Sequence, residues 1–80
     1  MTRQKILDHF PDEEFIFVDN MDDAIIGVSN DYRVVYSSTK CVDILMKDML
    51  EIEAIEYFEY NILGAYMGEK TPIYVYDNLI

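Results

Sequence analysis

The chain has 80 residues and a formal net charge of −10, because sixteen Asp and Glu residues face only six Lys and Arg. Such a field repels nucleic acid and anionic membrane surfaces and attracts basic partners, so we expect no direct binding to nucleic acid or membrane. Apolar residues make up 51% of the chain, more than an acidic disordered tail contains. We therefore expect residues 1–80 to fold as a single domain.

The number of cysteines and the length of the apolar runs indicate the cellular compartment. Cys41 is the only cysteine and cannot form a disulfide within the chain, which is typical of a reducing compartment. No apolar run approaches the roughly 18–20 residues of a membrane span, and the first residues lack the apolar stretch of a secretory signal. These features predict a cytoplasmic protein.

The first half of the chain predicts a short helix and a β-hairpin. Residues 2–10 suit one helix, which Pro11 ends because a proline disfavours helical backbone in the residue before it. Residues 15–18 form a short apolar run that resembles a strand, but so short a run does not distinguish a strand from other buried structure. Residues 24–28 and 33–37 are β-rich, and the Asn and Asp between them tolerate left-handed backbone, as a hairpin turn requires. The glycine inside the first of these runs predicts a bulge or a close backbone approach.

The second half predicts two helices and a closing strand. Ser37, or one of the two hydroxyl residues after it, can cap a helix whose apolar residues recur at helical spacing. Asp48, with a glutamate three residues later, resembles a capping box and predicts a second helix that runs to about Leu63 and stops at Gly64. Residues 73–76, preceded by a proline, predict the last strand.

These elements predict an α+β fold. We expect a small antiparallel three-stranded sheet, made of the hairpin and the C-terminal strand. Two helices should cover one face of this sheet, and a short N-terminal helix should precede it.

The chain offers little for catalysis or metal binding. His9 and Cys41 are its only histidine and cysteine, so an ordinary zinc site lacks ligands. We expect Cys41 to be a small core or boundary residue and His9 to lie at the surface or an edge. The carboxylates near the hairpin do not have the spacing of a calcium loop, and no phosphate-binding glycine loop is present. The prediction is a non-enzymatic protein with no catalytic residues, no metal and no cofactor.

The distribution of charge is more informative than its total. Residues 8–31 contain eight carboxylates, residues 48–69 contain six, and neither stretch contains a Lys or Arg. Glu53, Glu56 and Glu59 recur every three residues on a predicted helix, which favours a row of neighbouring carboxylates along one side. Such a row suits a basic groove that normally holds nucleic acid, although a solvated helix face that keeps the domain soluble has the same pattern.

Tyrosine adds to this pattern, because it combines apolar area with a polar tip and is enriched at protein interfaces. The candidate partner-binding residues are therefore Glu53, Glu56, Glu59, Tyr60, Asp19, Asp22, Asp23 and Asp31.

Several segments resemble a family of small acidic bacteriophage and prophage proteins. They are residues 22–28 (DDAIIGV), 33–37 (RVVYS), 40–46 (KCVDILM), 56–61 (EYFEYN), 64–69 (GAYMGE) and 71–73 (TPI). The resemblance spans roughly residues 22–75, and Leu50 departs from it, since the family tends to have a polar capping residue there. It implies a phage or prophage origin, a globular fold and action in the cytoplasm of the host cell, and it supplies no catalytic residues.

Three functional hypotheses follow. The first is a phage-encoded inhibitor that docks its acidic surface on a host protein with a basic surface, such as a nucleic-acid-handling or defence enzyme, in the manner of an anti-CRISPR protein or a DNA mimic. The second is a self-associating interaction or assembly module, which leaves a homodimer open. The third is a small hydrolase or nuclease that uses carboxylates and a metal ion.

Overall fold

The architecture is that of a computed structural model, which describes residues 1–77. Helices and strands follow one another in a mixed order that defines an α+β fold, as predicted. The elements are α1 (Arg3–His9), β1 (Ile25–Val28), β2 (Val34–Ser37), α2 (Ser38–Leu45), α3 (Glu51–Tyr57) and β3 (Ile73–Val75). A 3₁₀ turn (Asp22–Ala24) precedes β1, and a π-helical segment (Phe58–Leu63) continues α3.

Two of the helices begin at hydroxyl caps. The Thr2 hydroxyl accepts a hydrogen bond from the Lys5 amide at the start of α1. The Ser37 hydroxyl accepts one from the Lys40 amide at 3.2 Å, which confirms the predicted cap of α2. A side-chain oxygen at this position satisfies one of the amides that the first helical turn leaves unpaired.

The predicted hairpin is confirmed, with one difference in its turn. β1 and β2 pair antiparallel, and the register shifts between Ile25 and Gly27, which confirms the predicted bulge. The Ser29 amide donates to the Arg33 carbonyl at 2.9 Å to close the turn. Within the turn, the left-handed backbone falls on Tyr32, with a φ of 62°, and not on the Asn or Asp that sequence favoured.

The sheet has the order β1-β2-β3, and its third strand corrects the prediction of an antiparallel sheet. β3 pairs parallel to β2, with Val35 opposite Ile73 and Ser37 opposite Val75, so the sheet is mixed. The reason lies in the connection, because α2, α3 and the π-helical segment form a crossover long enough to return the chain in the same direction. The predicted two-helix cover of one sheet face remains a prediction.

Residues 15–18, whose apolar run sequence left ambiguous, are not a strand. Their apolar character reflects packing on the core, since Phe15 and Phe17 lie against it together with Phe10. The Val18 amide donates to the hydroxyl of Tyr36 at 2.8 Å, a side-chain acceptor in place of a strand partner. Burial and strand pairing produce the same apolar signal in a short run.

The second long helix begins later than the sequence indicated. Leu50 precedes its first residue and supplies no side-chain cap, so the capping role predicted for Asp48 was wrong. The helix then widens into the π-helical segment and ends at Gly64, as predicted. The Gly64 amide donates to the Glu59 carbonyl at 3.1 Å, and a Cβ at Gly64 would lie 3.2 Å from that oxygen.

The core lies between the sheet and the helical connection. Tyr36 of β2 is fully buried, and its ring stacks on Tyr74 of β3 with centroids 5.6 Å apart. Phe58 packs edge-on against Tyr74 at 5.5 Å. These ring contacts join β2 and β3 to the π-helical segment.

Candidate protein-binding surface

Asp19, Asp22 and Asp23 occupy the loop and 3₁₀ turn that lead into β1. They line one open depression of about 560 Å³ together with Arg3 and Asn20. Asn20 has left-handed backbone, with a φ of 66°, which turns the chain sharply at the rim. Three of the predicted binding residues are therefore brought together, but with a cation among them.

Arg3 neutralises one of these aspartates. Its Nη2 and Nε atoms lie 2.8 and 3.3 Å from the same Oδ1 of Asp22, and its guanidinium carbon lies 4.6 Å from the centroid of the Phe17 ring. The hydrogen bond to Asp22 raises the pKa of Arg3 above its usual value. Asp22 is thus engaged within the chain, which sequence could not indicate because the two residues are 19 positions apart.

Asp31 belongs to a different cluster, at the tip of the hairpin. The Ser29 hydroxyl donates to its carboxylate, and that hydrogen bond lowers the pKa of Asp31. Arg33 Nη1 lies 3.8 Å from the carboxylate, and Lys70 Nζ lies 5.4 Å from the centroid of the neighbouring Tyr32 ring. Residues 8–31 include no Lys or Arg. In the folded chain, however, Arg33 and Lys70, which lie outside this range, come close to the tip of the hairpin.

The predicted glutamate row divides between two sides of the helix. Glu53, Glu56 and Tyr60 line a depression of about 400 Å³. Glu59 lines a smaller one of about 250 Å³, which also contains Ile55 and lies between α2 and α3. A step of three residues falls short of a helical turn, so two steps rotate the side chain by about 120°. The row is therefore a pair of glutamates, with Glu59 on another side.

A central chamber of about 450 Å³ lies between the loop at residues 19–21 and the helices. It was not predicted, because its walls come from segments far apart in sequence. The lining residues are Val18, Asp19, Asn20, Met21, Ile44, Leu45, Asp48, Met49, Tyr57, Asn61 and Ile62. Asp19 and Asp48 are exposed, whereas the aliphatic residues are buried or half-buried, so an apolar floor lies beneath acidic edges.

Shared lining residues join the three depressions into one surface. Asp19 and Asn20 line both the first depression and the chamber. Met49, Tyr57 and Asn61 line both the chamber and the depression that holds Glu53 and Glu56. We call this continuous surface the acidic trough. Its carboxylates are Asp19, Asp22, Asp23, Asp48, Glu53 and Glu56.

The trough is negative because its carboxylates have few cationic neighbours. The ion pairs of residues 1–77 join Arg3 to Asp22 and Arg33 to Asp31. Arg3 is the one Lys or Arg among the described residues that line the trough. Five of its six carboxylates therefore have no ion-pair partner in the described part of the chain, and their field adds along a single surface.

Cys41 lies in the core and His9 lies at the surface, as predicted. Cys41 is fully buried, and burial raises the pKa of its thiol to about 12, so the thiol is protonated at neutral pH. The His9 ring lies edge-on to Phe10 with centroids 4.7 Å apart. Among residues 1–77, no three His, Cys, Asp or Glu side chains are grouped as metal ligands. No helix in this part of the chain has the length and apolar character needed to cross a membrane.

Comparison of the chain with protein-family models, with curated proteins and with solved structures finds no match. The resemblance to small acidic phage proteins therefore stays a prediction, and the function has to be inferred from the trough.

Proposed function

We propose that this chain is a non-enzymatic binding protein whose acidic trough docks on a basic surface of a partner protein. The observation that supports this proposal is the continuity of the trough, which assembles carboxylates from the 19–23 loop, the α2–α3 connection and α3 into one field. An extended field of one sign steers a partner of opposite sign and selects against partners of like sign.

The basic surface that fits best is one that its owner uses for nucleic acid. Such grooves present several Lys and Arg side chains in succession, because they must neutralise successive phosphates. A chain with a net charge of −10 that covers such a groove excludes nucleic acid and so inhibits the enzyme. The resemblance to phage proteins extends the proposal to a phage-encoded inhibitor of a host nucleic-acid-handling or defence enzyme, acting in the host cytoplasm.

The structure offers a matched pair of variants for the test. Glu53→Gln with Glu56→Gln removes two charges from the trough, whereas Glu51→Gln with Glu59→Gln removes two from the other side of the same helical unit. Exposed ion pairs contribute about 0.2–1 kcal/mol each, so the loss of two predicts about 2- to 30-fold weaker binding by the first variant. The second variant should bind as the unmodified chain does.

The experiment is capture of bacterial lysate proteins on the immobilised chain, followed by elution with duplex DNA. We expect the chain to retain proteins that DNA displaces, the trough variant to retain less of them, and the control variant to retain them fully. Equal retention by the two variants, or captured proteins that DNA does not displace, would contradict the proposal.

Self-association is a second candidate, favoured by exposed apolar side chains around α3. Leu50 and Ile52 are 71% and 68% exposed, and Tyr60 is 82% exposed. Apolar groups of this size are often covered in an assembly. Light scattering in low and high salt tests this, since a homodimer that persists in high salt supports the second function and a monomer supports the first.

A further inference from the structure

The central chamber differs from the rest of the trough because its floor is apolar. Val18, Ile44 and Leu45 are half-buried and pack on the core, so the floor is the outer surface of the core itself. Met49, also half-buried, stands where the chamber meets the Glu53 depression. A surface that only matched the charges of a nucleic-acid groove would need no apolar floor. Because apolar surface in contact with water is unfavourable, a partner that covers this floor gains free energy.

The chamber has room for a large side chain. Its volume of about 450 Å³ is comparable to that of sites of about 300–1,000 Å³ that hold whole small-molecule ligands, which exceed any one side chain in size. Binding energy at protein interfaces is concentrated on aromatic and arginine residues that enter such recesses. The chamber is therefore large enough for an aromatic or leucine anchor.

The negative charge around the chamber determines which kind of protein segment can bring the anchor side chain to it. Asp19 and Asp48 stand at its edges, and Glu53 and Glu56 continue the field along α3. A second copy of this chain would bring another −10 of charge to the same place, which opposes association. A segment with Lys or Arg beside its anchor is attracted by the same field.

We propose that the chamber binds a segment of the partner protein in which one aromatic or leucine side chain is flanked by Lys or Arg. The anchor occupies the apolar floor, and the flanking cations lie against the carboxylates of the trough. This inference rests on the proposed function and specifies the chemistry of the partner, since a DNA-binding groove that is only basic does not satisfy it.

The composition of the chain provides a direct optical test. The chain has no Trp, so the emission of a Trp placed in a peptide reports only the surroundings of the peptide. The probes are a twelve-residue peptide with one central Trp flanked by four Arg, and the same peptide with Ser in place of Trp, which has equal charge. We expect the Trp emission to shift to shorter wavelength on binding and the Trp peptide to bind about tenfold or more tightly than the Ser peptide.

A polar substitution in the floor identifies the site. Met49→Gln conserves side-chain length and should weaken the Trp peptide about threefold or more, a larger factor than it causes for the Ser peptide. Met46→Gln is the control, because Met46 is exposed and lines the depression on the other side of α3. Circular dichroism before titration confirms that both variants are folded.

The outcomes separate this inference from the function on which it rests. Equal affinity for the two peptides without a spectral shift would overturn the anchor and leave the acidic docking function standing. Failure of both peptides to bind at low salt would count against both. A homodimer that Met49→Gln dissociates would also overturn the inference, because a second copy would then occupy the chamber.

Discussion

Two stacked tyrosines in the core should respond in opposite ways to the same substitution. The hydroxyl of Tyr36 accepts a hydrogen bond from the Val18 amide, and Val18 is part of the chamber floor. The hydroxyl of Tyr74 is buried without a hydrogen-bond partner in residues 1–77. Substitution by phenylalanine keeps each ring and removes only the hydroxyl. Tyr36→Phe therefore removes a hydrogen bond, whereas Tyr74→Phe removes an unsatisfied polar group.

The expected free energies of unfolding follow from that difference. Tyr36→Phe leaves the half-buried Val18 amide unpaired, which costs about 1–2 kcal/mol. Tyr74→Phe removes a hydroxyl that is buried away from water and makes no hydrogen bond. The free energy of unfolding should therefore increase by about 1 kcal/mol. In a domain of this size, each 1 kcal/mol corresponds to about 4–8 °C in Tm.

Urea and thermal unfolding, followed by far-ultraviolet circular dichroism, measure both changes. Hydrogen exchange at the Val18 amide should also accelerate in Tyr36→Phe alone, because its acceptor is lost. Equal losses of stability in the two variants, or a larger loss in Tyr74→Phe, would refute the assignment of these hydroxyls.

Three further predictions concern titration and charge. The Cys41 thiol, whose pKa burial raises to about 12, should react with a thiol reagent at pH 8 only after denaturant is added. Burial also raises the pKa values of Tyr36 and Tyr74, so the folded state holds protons that the unfolded state releases. The stability that these two tyrosines contribute should therefore be full below about pH 10, the ordinary pKa of tyrosine, and should be lost as pH rises above it, by up to about 1.4 kcal/mol per pH unit for each tyrosine, in urea titrations. Arg3→Ala, which frees Asp22, should lower stability by about 1 kcal/mol yet tighten binding of arginine peptides, as fluorescence titration would measure.

The parts of the fold that sequence predicted well depend on local chemistry. The cap at Ser37, the end of α1 before Pro11 and the bulge at Gly27 each follow from one residue and its neighbours. The direction of β3 does not, because it depends on how the long helical connection returns to the sheet. The apolar run at residues 15–18 could not be assigned from sequence, since core packing and strand pairing leave the same short pattern.

The placement of the candidate binding residues was predicted only in part. Glu53, Glu56 and Tyr60 do line one surface, and Asp19 joins it through the central chamber. The engagement of Asp22 by Arg3 could not be read from sequence, because it depends on a contact made by folding. Glutamates at a spacing of three could have been assigned to different sides by continuing the helical rotation, which is a signal that the sequence did contain.

The central claim is that the trough, and no other acidic surface of the chain, binds basic protein segments. Titration of the ¹⁵N-labelled protein with a hexa-arginine peptide, followed in amide correlation spectra, tests it residue by residue. The account predicts that shift changes concentrate at the trough carboxylates without an ion pair, Asp19, Asp23, Asp48, Glu53 and Glu56, and that they fade as salt is added. Changes centred on Asp31 or Glu59, or spread evenly over the carboxylates, would contradict it.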